Sequence, residues 1–190
     1  MDEYRTASDD RLVALGLTGD RAAWGELVER HKDGLVNYLT RMTGERAAAE
    51  DLAHDAFVRL FERAASYRPL GKFRAYLYRI AVNLLRSQQR RSQRWRLIAS
   101  RFLPANGDRP EPAASALVLG NERDRQVADA VARLPDRFRA PIVLFNVEGW
   151  SYREIATALG CREGTVKSRI FRGRQLLRQE LEPYWNGESA

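Results

Sequence analysis

Cysteine and histidine are nearly missing from this chain of 190 residues, which has a single cysteine, Cys161, and two histidines, His31 and His54. A lone cysteine forms no internal disulfide, and these three side chains supply no zinc ligand set. The same poverty argues against cysteine or histidine catalysis. Neither a strained nucleophile turn nor a phosphate-cradling glycine loop is present, so no enzyme, cofactor, metal or small-molecule substrate is expected. Long apolar runs are missing too; Pro141-Ile142-Val143-Leu144-Phe145 is far too short to cross a bilayer. Met1-Asp2-Glu3-Tyr4 has neither the basic start nor the apolar stretch of a signal peptide. A cytoplasmic protein without membrane insertion is therefore expected.

The most telling absence is acid. Residues 63–107 carry 11 bases and not one Asp or Glu, whereas residues 1–62 carry 13 acids and 8 bases. Residues 108–190 are nearly balanced, yet six bases and one acid crowd between Arg162 and Arg178. A solvated helix face usually mixes signs, so 45 residues of one sign point to a polyanion partner.

What is present is helical punctuation. Hydrophobic residues make up 44% of the chain, enough for a core. Asp9 or Asp10 is placed to cap a first helix through Leu17, and Gly19-Asp20 to start a second. From Arg21, the apolar positions Trp24, Leu27, Val28, Leu35, Tyr38, Leu39 and Met42 recur mostly at three- and four-residue spacing as far as Gly44. A third helix is expected from about Glu45, with Leu52, Ala56, Phe57, Leu60 and Phe61 inward. Pro69-Leu70-Gly71 breaks the pattern. A fourth helix then turns Phe73, Leu77, Ile80, Ala81, Leu84 and Leu85 inward and runs into a basic stretch ending near Trp95. No run alternates with period two, so no sheet is predicted. Prolines 104, 110 and 112, with Gly107 and several Ala and Ser, mark a linker from about Phe102 to Asn121. Helices are expected again over Glu122–Leu134 and from Pro135 to about Val147. The expected fold is all-α: two helical domains joined by a flexible linker, the C-terminal one containing a helix-turn-helix.

That last motif is the sharpest local signal. Ser151-Tyr-Arg-Glu154 reads as a capping box. Ile155, Ala156 and Leu159 turn inward, Gly160 stands where a tight turn needs a positive φ, and Val166 and Ile170 continue the stripe. The following helix exposes Thr165, Lys167, Ser168, Arg169, Phe171 and Arg172 beside Arg162, donors suited to phosphates and base edges. Cap, turn and basic face coincide, which favours DNA binding over an ordinary helical hairpin. Cys161, just after the turn, reads as a small packing residue. Phe171 reads equally as a base contact or as a cover for apolar surface.

Three stretches together resemble the extracytoplasmic-function branch of the bacterial sigma-factor family. They are Ala49-Glu-Asp-Leu-Ala-His-Asp-Ala-Phe57, Lys72-Phe-Arg-Ala-Tyr-Leu-Tyr-Arg-Ile-Ala-Val-Asn83, and Gly149-Trp-Ser-Tyr-Arg-Glu-Ile-Ala through Gly164-Thr-Val-Lys-Ser-Arg169. The resemblance implies region 2 over residues 1–100, a linker over 101–121 and region 4 over 122–190. It also implies that Asp51, His54 and Asp55 dock on core RNA polymerase; family members usually carry Gln and Glu at positions 54 and 55. Lys72, Phe73, Arg74, Tyr76, Arg79, Asn83, Arg86 and Arg90 would hold the melted minus-ten element of promoter DNA, with the Pro69–Phe73 loop and Asn83 forming a pocket for a flipped base. Aromatic faces beside cations suit unstacked bases and their backbone, which is the physical side of that assignment. Core packing competes for Phe73, and a buried, satisfied amide competes for Asn83. Arg162, Thr165, Lys167, Ser168, Arg169, Phe171 and Arg172 would read the minus-thirty-five element. An anti-sigma factor is a further implied partner. The alternatives are a stand-alone helix-turn-helix repressor or activator, which would not need the basic aromatic segment around residues 67–96, and an RNA-binding or nuclease-like enzyme, for which no clustered metal site is visible.

Overall fold

The computed structural model describes residues 2–102 and 122–186, and all regular structure among them is helical. The expected linker falls almost wholly outside those residues. A first bundle comprises α1 (Asp2–Thr6), α2 (Asp9–Leu17), α3 (Arg21–Thr43), α4 (Arg46–Arg63) and α5 (Phe73–Phe102), with a 3-10 turn at Ala64–Ser66. A second comprises α6 (Glu122–Arg133), α7 (Asp136–Ile142), α8 (Tyr152–Leu159) and α9 (Glu163–Asn186).

Helix α1 was not foreseen from the sequence, and the cap of α2 lies one residue earlier than expected. Ser8 adopts extended backbone and its hydroxyl accepts the Arg11 N–H at 3.3 Å. Asp9 and Asp10 therefore fall in the first turn, where their carboxylates are free for other partners. Asp20 caps α3 by accepting from Ala22 and Ala23 at 2.9 and 3.2 Å, and Gly44 ends it. Leu27, Leu35, Leu39, Leu60 and Leu77 are at most 1% exposed and form the aliphatic centre of α3, α4 and α5. Burying each contributes about 1.5–3 kcal/mol. Phe61 departs from expectation: it is 36% exposed at the rim of the bundle, with its ring 4.9 Å from that of Trp24.

In the second bundle, α9 lies against α6, α7 and α8. The helix expected from Pro135 to Val147 changes character on the way. Pro141 lies inside α7 and has no N–H to donate, and after Ile142 the backbone widens into a π turn over Val143–Val147. The Glu148 N–H closes on the Val143 carbonyl at 3.2 Å, and the Trp150 N–H returns to Leu144 at 3.0 Å. This return carries Trp150 toward the first bundle. There α8 packs along α5, so the two bundles share a seam.

Candidate nucleic-acid interface

The helix-turn-helix forms as its sequence requires. Ser151 Oγ accepts the Glu154 N–H at 3.3 Å, and Glu154 Oε2 accepts the Ser151 N–H at 2.9 Å, closing the capping box. Burial alone would raise the Glu154 carboxyl; the Ser151 amide and hydroxyl, with Arg74, more than offset it and hold the group below its usual value. Gly160 takes φ +65° at the turn, and the Cys161 N–H closes on Ala156 at 3.0 Å. Val166 and Ile170 are buried at 0% and 2%, which fixes the roll of α9.

With that roll fixed, Arg162, Lys167, Ser168, Phe171 and Arg172 are exposed, and Thr165 and Arg169 half-buried. The Ser168 hydroxyl donates to the Thr165 carbonyl at 3.0 Å, so its donor is engaged within the helix while its lone pairs stay open. Lys167 Nζ sits 5.8 Å from the centre of the Tyr152 ring. Phe171 is 63% exposed, so it covers little apolar surface of its own domain. Arg174, not foreseen, serves the scaffold: it donates to Asn146 Oδ1 at 2.8 Å and lies over Phe145.

Helix α5 divides its surface in three. Leu77, Ala81 and Leu84 are buried in the core. Tyr76, Arg79, Asn83, Arg86 and Arg90 follow at alternating three- and four-residue steps, which places them on one face that borders the seam at Arg86. Among them Arg79, Asn83, Arg86 and Arg90 are exposed, so Asn83 is not a buried amide. Phe73 is 2% exposed and belongs to the core, packed beside His31 and Tyr67 at ring distances of 5.2 and 5.9 Å. Arg74 points the other way from the stripe, into the seam.

The loop before α5 is exposed at Arg68, Pro69, Leu70, Gly71 and Lys72, with Leu70 66% exposed. It borders a cavity of about 630 Å³ lined also by Asp10, Arg74 and, across the seam, Arg153 and Thr157. Asp9 binds Arg30 at 3.1 Å and His31 at 2.8 Å. Burial would raise its carboxyl, but His31 and Arg30 together lower it.

The seam itself has little precedent in the sequence. Trp150 is 1% exposed, with the Tyr78 ring 4.6 Å from its own and the Arg74 guanidinium 4.3 Å from its centroid. Arg74 also meets Glu154 at 3.2 Å, and Gln89 donates to Asp136 at 2.6 Å. Both terminal nitrogens of Arg86 lie 3.5 Å from the Leu159 carbonyl. Glu148 lies close enough to Tyr78 that a Cβ on Gly34 would sit 3.2 Å from the Tyr78 hydroxyl and 3.6 Å from Glu148 Oε2. Burial raises the Glu148 carboxyl, against the pull of Arg41 and Arg74. Tyr38 Oη, Arg41 Nε and Trp150 Nε1 are buried without a hydrogen-bond partner among the described residues.

On α4, Asp51, His54 and Asp55 are all exposed. Glu50 beside them is paired to Arg46 at 2.9 Å. A groove of about 440 Å³ runs alongside, lined by Val28, Val36, Phe57, Val58 and Phe61. Val58 at 40% exposure and Phe61 give it an apolar lip. No group of histidine, cysteine and carboxylate side chains that could hold a metal occurs among the described residues. None of the described helices is long and apolar enough to cross a membrane.

Residues 27–96 match the family model described as Sigma-70 region 2, and residues 124–177 match Sigma-70, region 4. Those two regions, in that order, define a sigma factor of the sigma-70 class. The chain is 40% identical over 170 residues to the ECF RNA polymerase sigma factor SigE of Mycolicibacterium smegmatis, covering 86% of this chain and 65% of that protein. It is 33% identical over 174 residues to the ECF RNA polymerase sigma factor SigW of Bacillus subtilis, covering 86% of this chain and 91% of that one. The fold also matches the sigma factor RpoE, solved in complex with the anti-sigma factor NepR from Bartonella quintana. There the TM-score is 0.67 at 24% identity, over 83% of this chain and 96% of the other. The chain belongs to the extracytoplasmic-function RNA polymerase sigma factors. It is an alternative sigma factor, which binds core RNA polymerase and directs it to promoter DNA. The stand-alone repressor or activator is not favoured, because residues 27–96 match a region that it would not need.

Proposed function

We propose that the three exposed surfaces divide the work of transcription initiation among them. The observation that carries this reading is the outward stripe Tyr76, Arg79, Asn83, Arg86 and Arg90 on α5, set on a different bundle from the helix-turn-helix. Asp51, His54 and Asp55, with the apolar lip of Val58 and Phe61, attach the first bundle to core polymerase. The α5 stripe, with Lys72 and Arg74, takes the non-template strand of the melted minus-ten element, the Tyr76 ring stacking a base and the cations following the backbone. The loop over residues 69–73 receives a flipped base; Phe73, being buried, supports that loop from below. Residues Arg162 to Arg172 lay the start of α9 in the major groove at the minus-thirty-five element. Residues 1–100 act as region 2, 101–121 as linker and 122–190 as region 4.

The two elements lie, by their names, about 25 base pairs apart, or about 85 Å of duplex at 3.4 Å per pair. Bundles in contact along α5 and α8 do not span that distance, so the seam parts when both elements are held. Arg74 is then released from Glu154 and Trp150 to meet DNA. The protein acts in the cytoplasm and performs no catalysis of its own, since the polymerase supplies the chemistry. A partner of the anti-sigma kind holds it inactive, as the complex of its fold-mate RpoE with NepR suggests.

Run-off transcription with bacterial core polymerase on a pool of promoter fragments tests the reading. Discrete new start sites that require the chain support it, and their loss in an Asp51→Ala, Asp55→Ala chain supports the docking face. A chain that shifts duplex DNA alone but starts nothing with polymerase overturns it.

A further inference from the structure

The loop proposed to receive a flipped base has one tie of its own, from the Lys72 backbone N–H to the Tyr67 hydroxyl oxygen. Arg68, Pro69, Leu70, Gly71 and Lys72 are all exposed, and none belongs to a helix. Two further ties come from far away in the chain. Asp10, in the first turn of α2, accepts the Tyr67 hydroxyl on Oδ1 at 2.5 Å and the Gly71 N–H on Oδ2 at 2.8 Å. One carboxylate thus ties the two ends of a five-residue segment. Gly71 has φ +65°, a conformation few other residues adopt without strain, so its N–H is aimed by a turn that needs support. The Tyr67 ring in turn lies edge-on to Phe73 at 5.9 Å and against Tyr76, on the outward stripe of α5, at 5.2 Å.

Charge makes this arrangement more than an ordinary helix start. A carboxylate beside a surface meant for nucleic acid repels phosphate and would weaken binding if left free. Asp10 is half-buried with both oxygens engaged, and its neighbour Asp9 is paired to Arg30 and His31. Burial and the Asp10 carboxylate both raise the Tyr67 hydroxyl above its ordinary value, so it remains a donor at any physiological pH. The first turn of α2 therefore spends its acid groups on holding the loop and the core residue beneath it, since His31 also packs on Phe73 at 5.2 Å.

We propose that Asp10 is a positioning residue that pre-forms the residue 67–71 loop to receive a base extruded from the opened promoter strand. It touches no DNA; it acts through Tyr67 and the Gly71 amide. The proposal rests on the reading of this loop as a base pocket, and its test separates the two.

The full chain is assembled with core polymerase, and affinity is measured for forked promoter DNA whose single-stranded minus-ten segment is intact or abasic at one position at a time. With the wild-type chain, one abasic position should weaken binding by roughly 10-fold or more, the range expected for losing a stacked base. Asp10→Ala should reduce that discrimination to within about twofold, leaving affinity for the abasic fork and for core polymerase unchanged. Asp10→Asn, which retains one acceptor, should fall between, and Tyr67→Phe should remove one of the two ties from Asp10 while keeping the ring. These milder variants decide the matter if Asp10→Ala melts early. Full discrimination in Asp10→Ala overturns the proposal, as does an equal loss on intact and abasic forks, the mark of a merely structural role. A wild-type chain that discriminates at no position overturns the pocket reading itself and this proposal with it.

Discussion

Inside the first bundle, α3, α4 and α5 meet through leucines that are almost wholly buried. Between the bundles, α5 meets α8 and the turn before it through Tyr78, Trp150, Arg74 and Glu154, with Tyr38, Arg41 and Glu148 behind them and with Leu144, Ile155 and Leu159 in the same buried cluster as the first bundle. The first kind of contact is non-directional and has no polar group to satisfy. The second leaves three buried polar atoms without partners among the described residues, each costing about 1–3 kcal/mol relative to a satisfied state. An aliphatic core makes a unit that stays folded. The parting proposed above would break the ring and charge contacts of the seam and expose apolar residues such as Leu144, Ile155 and Leu159, which share one buried cluster with the first bundle.

The comparison can be broken hardest at the aliphatic side. Leu77→Ala, at a residue with no exposure, should destabilise the first bundle by about 2–5 kcal/mol, read by chemical denaturation. A loss well under 1 kcal/mol would mean that the leucine core is not what holds the bundle. On the seam, Tyr38→Phe should act with the opposite sign. It removes an unpartnered hydroxyl while keeping the ring beside Tyr78 at 5.3 Å, and should leave the closed chain about 1 kcal/mol more stable. A clear destabilisation would show that the hydroxyl has a partner in solution.

Ser151→Ala sharpens the same contrast from the side of α8. It opens the capping box and should cost about 1 kcal/mol, with weaker duplex binding by the second bundle and no change in the first. Melting of the two separately expressed bundles and a duplex titration would check it.

The smallest effect is in pH, and its sign differs for two seam carboxyls. Glu154 is held below its usual 4.5, so its contribution is complete above about pH 4.5 and is lost as pH falls through the lowered value. Glu148 is raised above 4.5 by burial, so its charge opposes packing at neutral pH. That opposition is relieved as pH falls through the raised value toward 4.5. Seam stability should therefore peak near pH 4.5 and decline on both sides, with Glu148→Gln flattening the upper side. A curve that rises steadily through neutral pH would contradict the assignment.

Much of this was legible in the residues because it is local. The capping box, the Gly160 turn, the inward stripe of Val166 and Ile170, and the apolar spacing of α3 and α5 each depend on neighbours within a turn or two. Long-range contacts left no such trace. Asp10 meets Gly71 across 61 positions and Arg74 meets Glu154 across 80, and nothing in either local pattern marks the partner. Asp9 and Asp10 look like caps for that reason, whereas Ser8 does the capping and frees them. Phe61 was read as core because spacing gives a face but not the edge of the bundle. The roles of Arg74 and Trp150 in the seam follow from the π turn at Val143–Val147, which no composition rule announces.

The most direct measurement follows the distance between the bundles while the chain works. Dyes on Glu29→Cys and Gln179→Cys, both exposed positions, in a Cys161→Ser background would report it by energy transfer. The free chain should give high transfer, and the chain bound to core polymerase on a promoter that yields run-off product should give little. Unchanged high transfer in a complex that still starts transcription would contradict the account, because bundles in contact would then be reading both elements.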